Sequence, residues 1–202
     1  MAFMDTILYV HGYGSSGNAV KGKKLQEMFP SVRVIAPTFD YDNTSPYDVQ
    51  RTLHQIVNDN GVMMIVGSSF GGYHTLCSTA FFQYPVWVIN PVHDVFSTLQ
   101  RIVLKQCSQA VHAGDDKYSR LKQEYLLFND EVFSRLPKRL GQVNMALSLD
   151  DELLGDHHPL LELFPQPGCV VWKDNCGHRF LRFSELQPEI THTWYTLKSN
   201  CE

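Results

Sequence analysis

The chain has no apolar stretch long enough to cross a bilayer. Its hydrophobic runs, such as VMMIV at 62–66, are far too short for a membrane span. It also lacks an excess of either charge. Seventeen Lys and Arg against 21 Asp and Glu give a net charge of -4, which leaves no electrostatic footprint for nucleic acid or an anionic membrane surface. The one basic run, KGKK at 21–24, reads as the solvated face of a helix. Cysteine is scarce and odd in number: five residues, at 77, 107, 169, 176 and 201, with no CxxC pair. That argues against a disulfide framework and a zinc site, and for the reduced thiols of a cytoplasmic protein. The opening MAFMDTILYV has no basic n-region and carries Asp5, so it reads as the start of the fold and not as a signal peptide. Charged residues make up only 19% of the 202 residues and hydrophobic residues 44%, as suits one domain with a sizeable core.

Internal repeats, low-complexity tracts and linkers are missing too. What recurs is a short apolar run followed by a longer helical pattern. TILYV (6–10), VRVIAP (32–37), VMMIV (62–66), VWVIN (86–90), VNMALSL (143–149) and GCVVWK (168–173) read as strands. Helical patterns fall at 18–29, 46–60, 70–83 and 186–198, with Ser45 placed to cap the second. The alternation predicts an α/β domain over 1–202, with a mainly parallel sheet of about six strands flanked by helices. One interval breaks the rhythm. Between Asn90 and Val143 lie roughly fifty residues of helical patterning, too long for one crossover helix. Residues 92–142 are therefore read as a helical cap inserted over the carboxyl ends of the strands, where ligands bind in such sheets.

The stretch GSSFG (67–71) matches G-x-S-x-G with Ser69 at its centre. An apolar strand precedes it and a helix pattern follows. That is the context in which a sharp, strained turn lifts a serine hydroxyl above the sheet. Gly67 and Gly71 suit the turn because a Cβ at either place would collide with it. A serine needs a base, and in this arrangement the partners follow in the order Ser, Asp or Glu, His. LDDE supplies Asp150, Asp151 and Glu152 directly after one late strand, with Asp151 favoured as the acid. DNCGHRF supplies His178 after the last strand. The developing oxyanion of acyl transfer needs two donors. They are read as the backbone N–H groups of Phe70, just after the serine, and of Tyr13, in the HGYGSS loop after the first strand.

LYVHGYGSSG, VGSSFGGYH, VINPV, LDDELL and NCGHRF together resemble the α/β-hydrolase superfamily. More narrowly they resemble the small bacterial YqiA-type esterases, over nearly the whole chain. The resemblance implies a minimal form of the fold, without the two extra strands that open the larger superfamily. It implies a Ser-His-Asp carboxylesterase or acyl-thioesterase acting on a small-molecule ester or thioester, carried by Ser69, His178 and Asp151, with no cofactor. One departure is LDDE where the group commonly has Gly-Asp-Glu, which puts a second aspartate beside the acid. Two other functions stay open: a non-catalytic small-molecule-binding protein on the same fold, and the same triad cleaving peptide or carbon–carbon bonds.

Other residues have plainer readings. His11 is expected to bond within its own loop and His74 to pack on a helix. DHHP (156–159) invites a metal reading, but adjacent histidines seldom face one ion and no third ligand stands out, so a helix start before Pro159 is expected. Cys176 reads as a bystander, and Asn90 and Pro91 as the pocket wall without chemistry. Tyr118, Tyr125, Phe128 and Phe133 form an aromatic stripe that reads first as core and second as an acyl pocket above the site.

Overall fold

The computed structural model describes residues 5–81, 84–107, 116–133, 135–136, 143–164 and 167–199. Its centre is one six-stranded parallel sheet of β1 (Thr6–Val10), β2 (Arg33–Ile35), β3 (Val62–Ser68), β4 (Val86–Ile89), β5 (Val143–Ser148) and β6 (Cys169–Lys173), in the spatial order β2-β1-β3-β4-β5-β6. Alternate side chains feed two separate cores. Leu8, Val10, Ile65, Val86, Val88, Met145 and Leu147 point to one face. Ile7, Tyr9, Met64, Val66, Trp87 and Ile89 point to the other. Both faces are buried, which is why the strands read as unbroken apolar runs.

Helices α1 (Val20–Met28) and α7 (Gln187–Ser199) cover the second face through Leu25, Ile190 and Trp194. The first face carries α2 (Pro46–Asn60), α3 (Phe70–Ser78), α4 (Val95–Cys107), α5 (Asp116–Phe133) and α6 (His158–Leu163). The chain runs outward from β1 to β2 by way of α1, then back across β1 to β3 by way of α2. Right-handed crossovers put those two helices on opposite faces, and the reversal opens a crevice at the carboxyl ends of β1 and β3.

Local chemistry sets the helix ends. The Ser45 hydroxyl accepts from the Asp48 N–H at 3.1 Å, Pro46 takes the first turn, and Gly61 closes α2 with φ +59°. The helix expected over 70–83 stops at Ser78. There the Ser78 and Thr79 hydroxyls donate to the Thr75 and Leu76 carbonyls at 2.7 and 2.6 Å, competing with the helical ladder. In the 92–142 interval, Tyr125 and Phe128 of α5 are buried in the core beside Phe70 and Tyr73. They pack against α3, and neither is among the residues lining the cleft at Ser69. The side chains of Tyr118 and Phe133 lie outside the described residues.

Candidate active site

Ser69 stands between the end of β3 and the start of α3, with φ 56° and ψ -120°. A non-glycine residue in that region carries strain of about 1–3 kcal/mol, so the surroundings must enforce it. They do so from both sides. The Ser69 N–H donates to the Ile89 carbonyl at 2.9 Å, and the Ser69 carbonyl accepts from Val92 and Tyr73, both at 3.1 Å. The flanking glycines are sterically required. A Cβ on Gly67 would lie 2.2 Å from Thr75 Oγ1, and one on Gly71 would lie 2.3 Å from the carbonyl oxygens of both Val10 and His11.

The serine oxygen faces His178, with Oγ 2.8 Å from Nε2. On the far side of that ring, Nδ1 is 3.0 Å from each oxygen of Asp151. Asp151 is buried. Burial alone would raise its carboxyl, but hydrogen bonds from His157, His178 and the Leu154 N–H outweigh this and hold it well below the usual carboxylate range. An ionised carboxylate only accepts, so Nδ1–H of His178 donates to it. Nε2 is left with a lone pair for the serine proton. The three residues come from the ends of β3, β5 and β6, and the fold brings them into one hydrogen-bonded chain.

The loop after β1 passes beside the serine. A Cβ on Gly12 would sit 3.1 Å from Ser69 Cβ. Buried His11 fixes this loop. Its Nε2 accepts from the Phe39 N–H at 2.9 Å, so its Nδ1–H donates to the Gly12 carbonyl at 2.7 Å. Burial lowers its pKa, against the pull of that carbonyl. Tyr13 follows, with its hydroxyl on Asp42 and its ring edge-on to Phe70 at 6.0 Å. Phe70 is the first residue of α3, where N–H groups have no acceptor within the helix.

These groups open into a cleft of about 790 Å³. Val20, Leu181 and Phe183 give it an apolar side, while Lys21, Lys24 and Arg179 give it a basic rim with no carboxylate among the lining residues. The Lys21 ammonium donates to the Arg179 carbonyl at 2.7 Å. Burial first, then repulsion from Lys24 and Arg179, lowers the Lys21 pKa to about 8. None of the lining residues comes from α4 or α5.

Comparison with known proteins matches residues 6–194 to the model of the "Uncharacterised protein family (UPF0227)". The chain belongs to that family. Among solved structures it is similar to a monoacylglycerol lipase of Paleococcus ferrophilus, at 12% identity and a TM-score of 0.67 over 96% of this chain and 94% of that one. It is similar to Est1E of Butyrivibrio proteoclasticus, at 11% identity and a TM-score of 0.66 over 95% and 89%. It also resembles an alpha/beta hydrolase enzyme from the metagenome of lagoon sediments of Mar Chica, at 17% identity and a TM-score of 0.62 over 97% and 92%. At these identities the likeness establishes the fold: this UPF0227 chain has the α/β-hydrolase fold.

Four residues named from the sequence have roles in the site that were not read there. Asn90, expected only to shape a wall, is fully buried and ties two loops together. Its Oδ1 accepts from the Ser148 N–H at 2.8 Å, and its Nδ2 donates to the Gly177 and His178 carbonyls at 3.0 and 3.1 Å. Its φ of 41° is one that asparagine tolerates. Asp150, the rival acid, accepts from the N–H groups of Cys176 and Gly177 at 3.0 and 3.1 Å. Glu152 accepts from the His178 N–H at 2.7 Å. The LDDE acids thus divide the work: Asp151 meets the imidazole, and its neighbours hold the backbone that carries it. The fourth residue, His157, donates to Asp151. Only the three consecutive acids and the Asn-Pro pair signalled any of this. Cys176 is buried and its thiol pKa is raised by that burial, consistent with an inert bystander. DHHP starts α6 with Pro159 in its first turn, and no group of three or more metal-ligating side chains occurs among the described residues. Nor is any described helix long and apolar enough to cross a membrane.

Proposed function

We propose that this chain is a serine hydrolase of carboxylic esters or acyl thioesters, working through an acyl-enzyme intermediate. The observation that carries the reading is the unbroken chain from Ser69 Oγ through His178 to Asp151, at 2.8 and 3.0 Å, on a strained strand-to-helix turn. Ser69 attacks the carbonyl carbon while His178 Nε2 takes its proton. Asp151 holds the Nδ1–H tautomer and stabilises the imidazolium. The N–H groups of Tyr13 and Phe70 receive the oxyanion. His178 returns the proton to the leaving alcohol or thiol, and water then clears the acyl group by the same relay. Besides substrate and water, no step calls on a metal or an organic cofactor.

The cleft narrows the substrate. Its apolar side suits an acyl chain, and the rim of Lys21, Lys24 and Arg179 suits an ester that also carries a carboxylate or phosphate. The chain is taken as a single domain, 1–202, with a helical cap inserted at about 92–142, of which the described part of α5 packs against α3. A binding protein without turnover would have no need of an aligned base, and Ser69 and His178 face each other across 2.8 Å.

The test is hydrolysis of 4-nitrophenyl esters and acyl thioesters, followed in the first turnovers. The expected result is a burst of product equal to the enzyme concentration, absent in Ser69→Ala. Folded protein that turns over none of these substrates would favour the binding reading.

A further inference from the structure

The DHHP segment holds a histidine that no step above uses. His157 is the N-cap residue of α6, yet its side chain makes no cap bond. The ring turns inward instead. Its Nε2 is 3.0 Å from Asp151 Oδ2, and both side chains are 0% exposed. His158 beside it turns outward, pairing with Asp156 at the surface and stacking on Trp172.

The carboxylate of Asp151 can only accept, so His157 donates through Nε2–H and keeps its lone pair on Nδ1. That Nδ1 is buried without a hydrogen-bond partner. The ring of His93 stands edge-on at 5.8 Å, and its Nδ1 is buried and unpartnered as well. An apolar side chain would fill the same space and orphan no nitrogen, so packing does not explain a histidine here. What histidine adds is the N–H on Asp151. The Oδ1 atom already accepts from the N–H groups of Leu153 and Leu154 at 3.0 and 2.8 Å. Oδ2 has His157 as its only donor besides His178 among the described residues.

We infer that His157 is a positioning residue for the hydrolytic site: it anchors the Oδ2 edge of Asp151, so that the carboxylate keeps both oxygens on His178 Nδ1. It touches no substrate and acts through Asp151 alone. The inference rests on the proposed triad. Other ionisable groups around it are Asp150 and Glu152 on the loop after β5, Asp156 and His158 on either side, His93 and Asp94 after β4, and His178 itself.

The experiment compares wild type with H157Q, whose amide nitrogen can reach where Nε2 stood, with H157N, whose shorter amide stops where Nδ1 stood and falls short of Asp151, and with H157L, which has no donor. Activity per folded molecule is read as kcat and KM for a 4-nitrophenyl ester across pH, beside the thermal midpoint. H157N and H157L are expected to lose kcat about tenfold at unchanged KM. Their rate should also reach half its plateau at higher pH, because a carboxylate with one donor fewer holds the His178 proton more tightly. H157Q is expected to recover most of the rate and the wild-type pH midpoint. Should H157L fail to fold, H157N against H157Q still decides. Variants that lower the thermal midpoint but keep kcat and the pH midpoint would overturn the inference and leave His157 a packing residue. A wild type without activity would overturn the hydrolase reading and this inference with it.

Discussion

Replacing Asn90 by alanine removes three hydrogen bonds at once, those with Ser148 N–H and with the Gly177 and His178 carbonyls. Each is worth about 1 kcal/mol net, and more where a buried partner is left unsatisfied. Alanine must also adopt the φ of 41° that asparagine tolerates, at a further cost of about 1 kcal/mol. The expected destabilisation is about 4 kcal/mol, a large share of the 5–15 kcal/mol that holds a typical domain. In a chain of this size that lowers the thermal midpoint by about 8–16 °C. The same three bonds fasten the loop carrying His178 to the end of the strand that leads into Asp151. Ester hydrolysis per folded molecule should therefore fall by about one to two orders of magnitude. Asn90→Asp is the sharper probe. It keeps the shape, the acceptor and the tolerance of positive φ, but turns a donor into an anion facing two carbonyls. It should cost at least as much as alanine in both urea denaturation and activity. A wild-type-like Asn90→Asp protein would refute the assignment of Nδ2 as the tie between the loops.

Three further outcomes follow from the geometry. Asp151→Asn places an amide donor against His178 and His157 and favours the wrong tautomer, so kcat should fall about 10³–10⁴-fold with the fold intact by circular dichroism; a loss below tenfold would remove Asp151 from the relay. His74 is wholly buried and its pKa is lowered to about 3 by burial. The folded state therefore binds fewer protons than the unfolded one below about pH 6.5, and stability is complete above that pH and lost as pH falls toward 3. Between pH 7 and 5 wild type should lose about 2 kcal/mol more than His74→Gln in urea denaturation, and equal losses would contradict this. Lys21→Met should lower kcat/KM several-fold for the mono-4-nitrophenyl ester of succinate, and little for the neutral butyrate ester. The wild-type preference for the anionic ester should also shrink at high salt; a preference blind to both changes would mean that the rim does not meet the substrate.

The parts of this molecule legible in the sequence are those that local rules govern. The bounds of β1 and α2 follow from an apolar run, a serine cap, Pro46 and Gly61, all of which act within a few residues. The Ser69 turn announces itself because two glycines are required where Cβ atoms would strike Thr75, Val10 and His11. The order of strands then sets Asp151 and His178 at neighbouring strand ends. What escaped are ties between distant segments. Asn90 bonds to residues 58, 87 and 88 positions away, and no periodicity reports that. Tyr125 illustrates the same limit. Its spacing marks a buried face of α5, but not that the face meets His74 of α3, whose Nε2 lies 2.9 Å from the Tyr125 hydroxyl. His157 was legible as a helix start, yet a cap position does not reveal a side chain turned inward to Asp151.

Nucleophilic activation of Ser69 decides whether this chain is a hydrolase. It is tested most directly by intact mass after exposure to a fluorophosphonate, on wild type and on Ser69→Ala. One phosphonyl adduct is expected on wild type and none on the variant. A folded wild type that stays unlabelled, or an adduct that persists without Ser69, would contradict that activation.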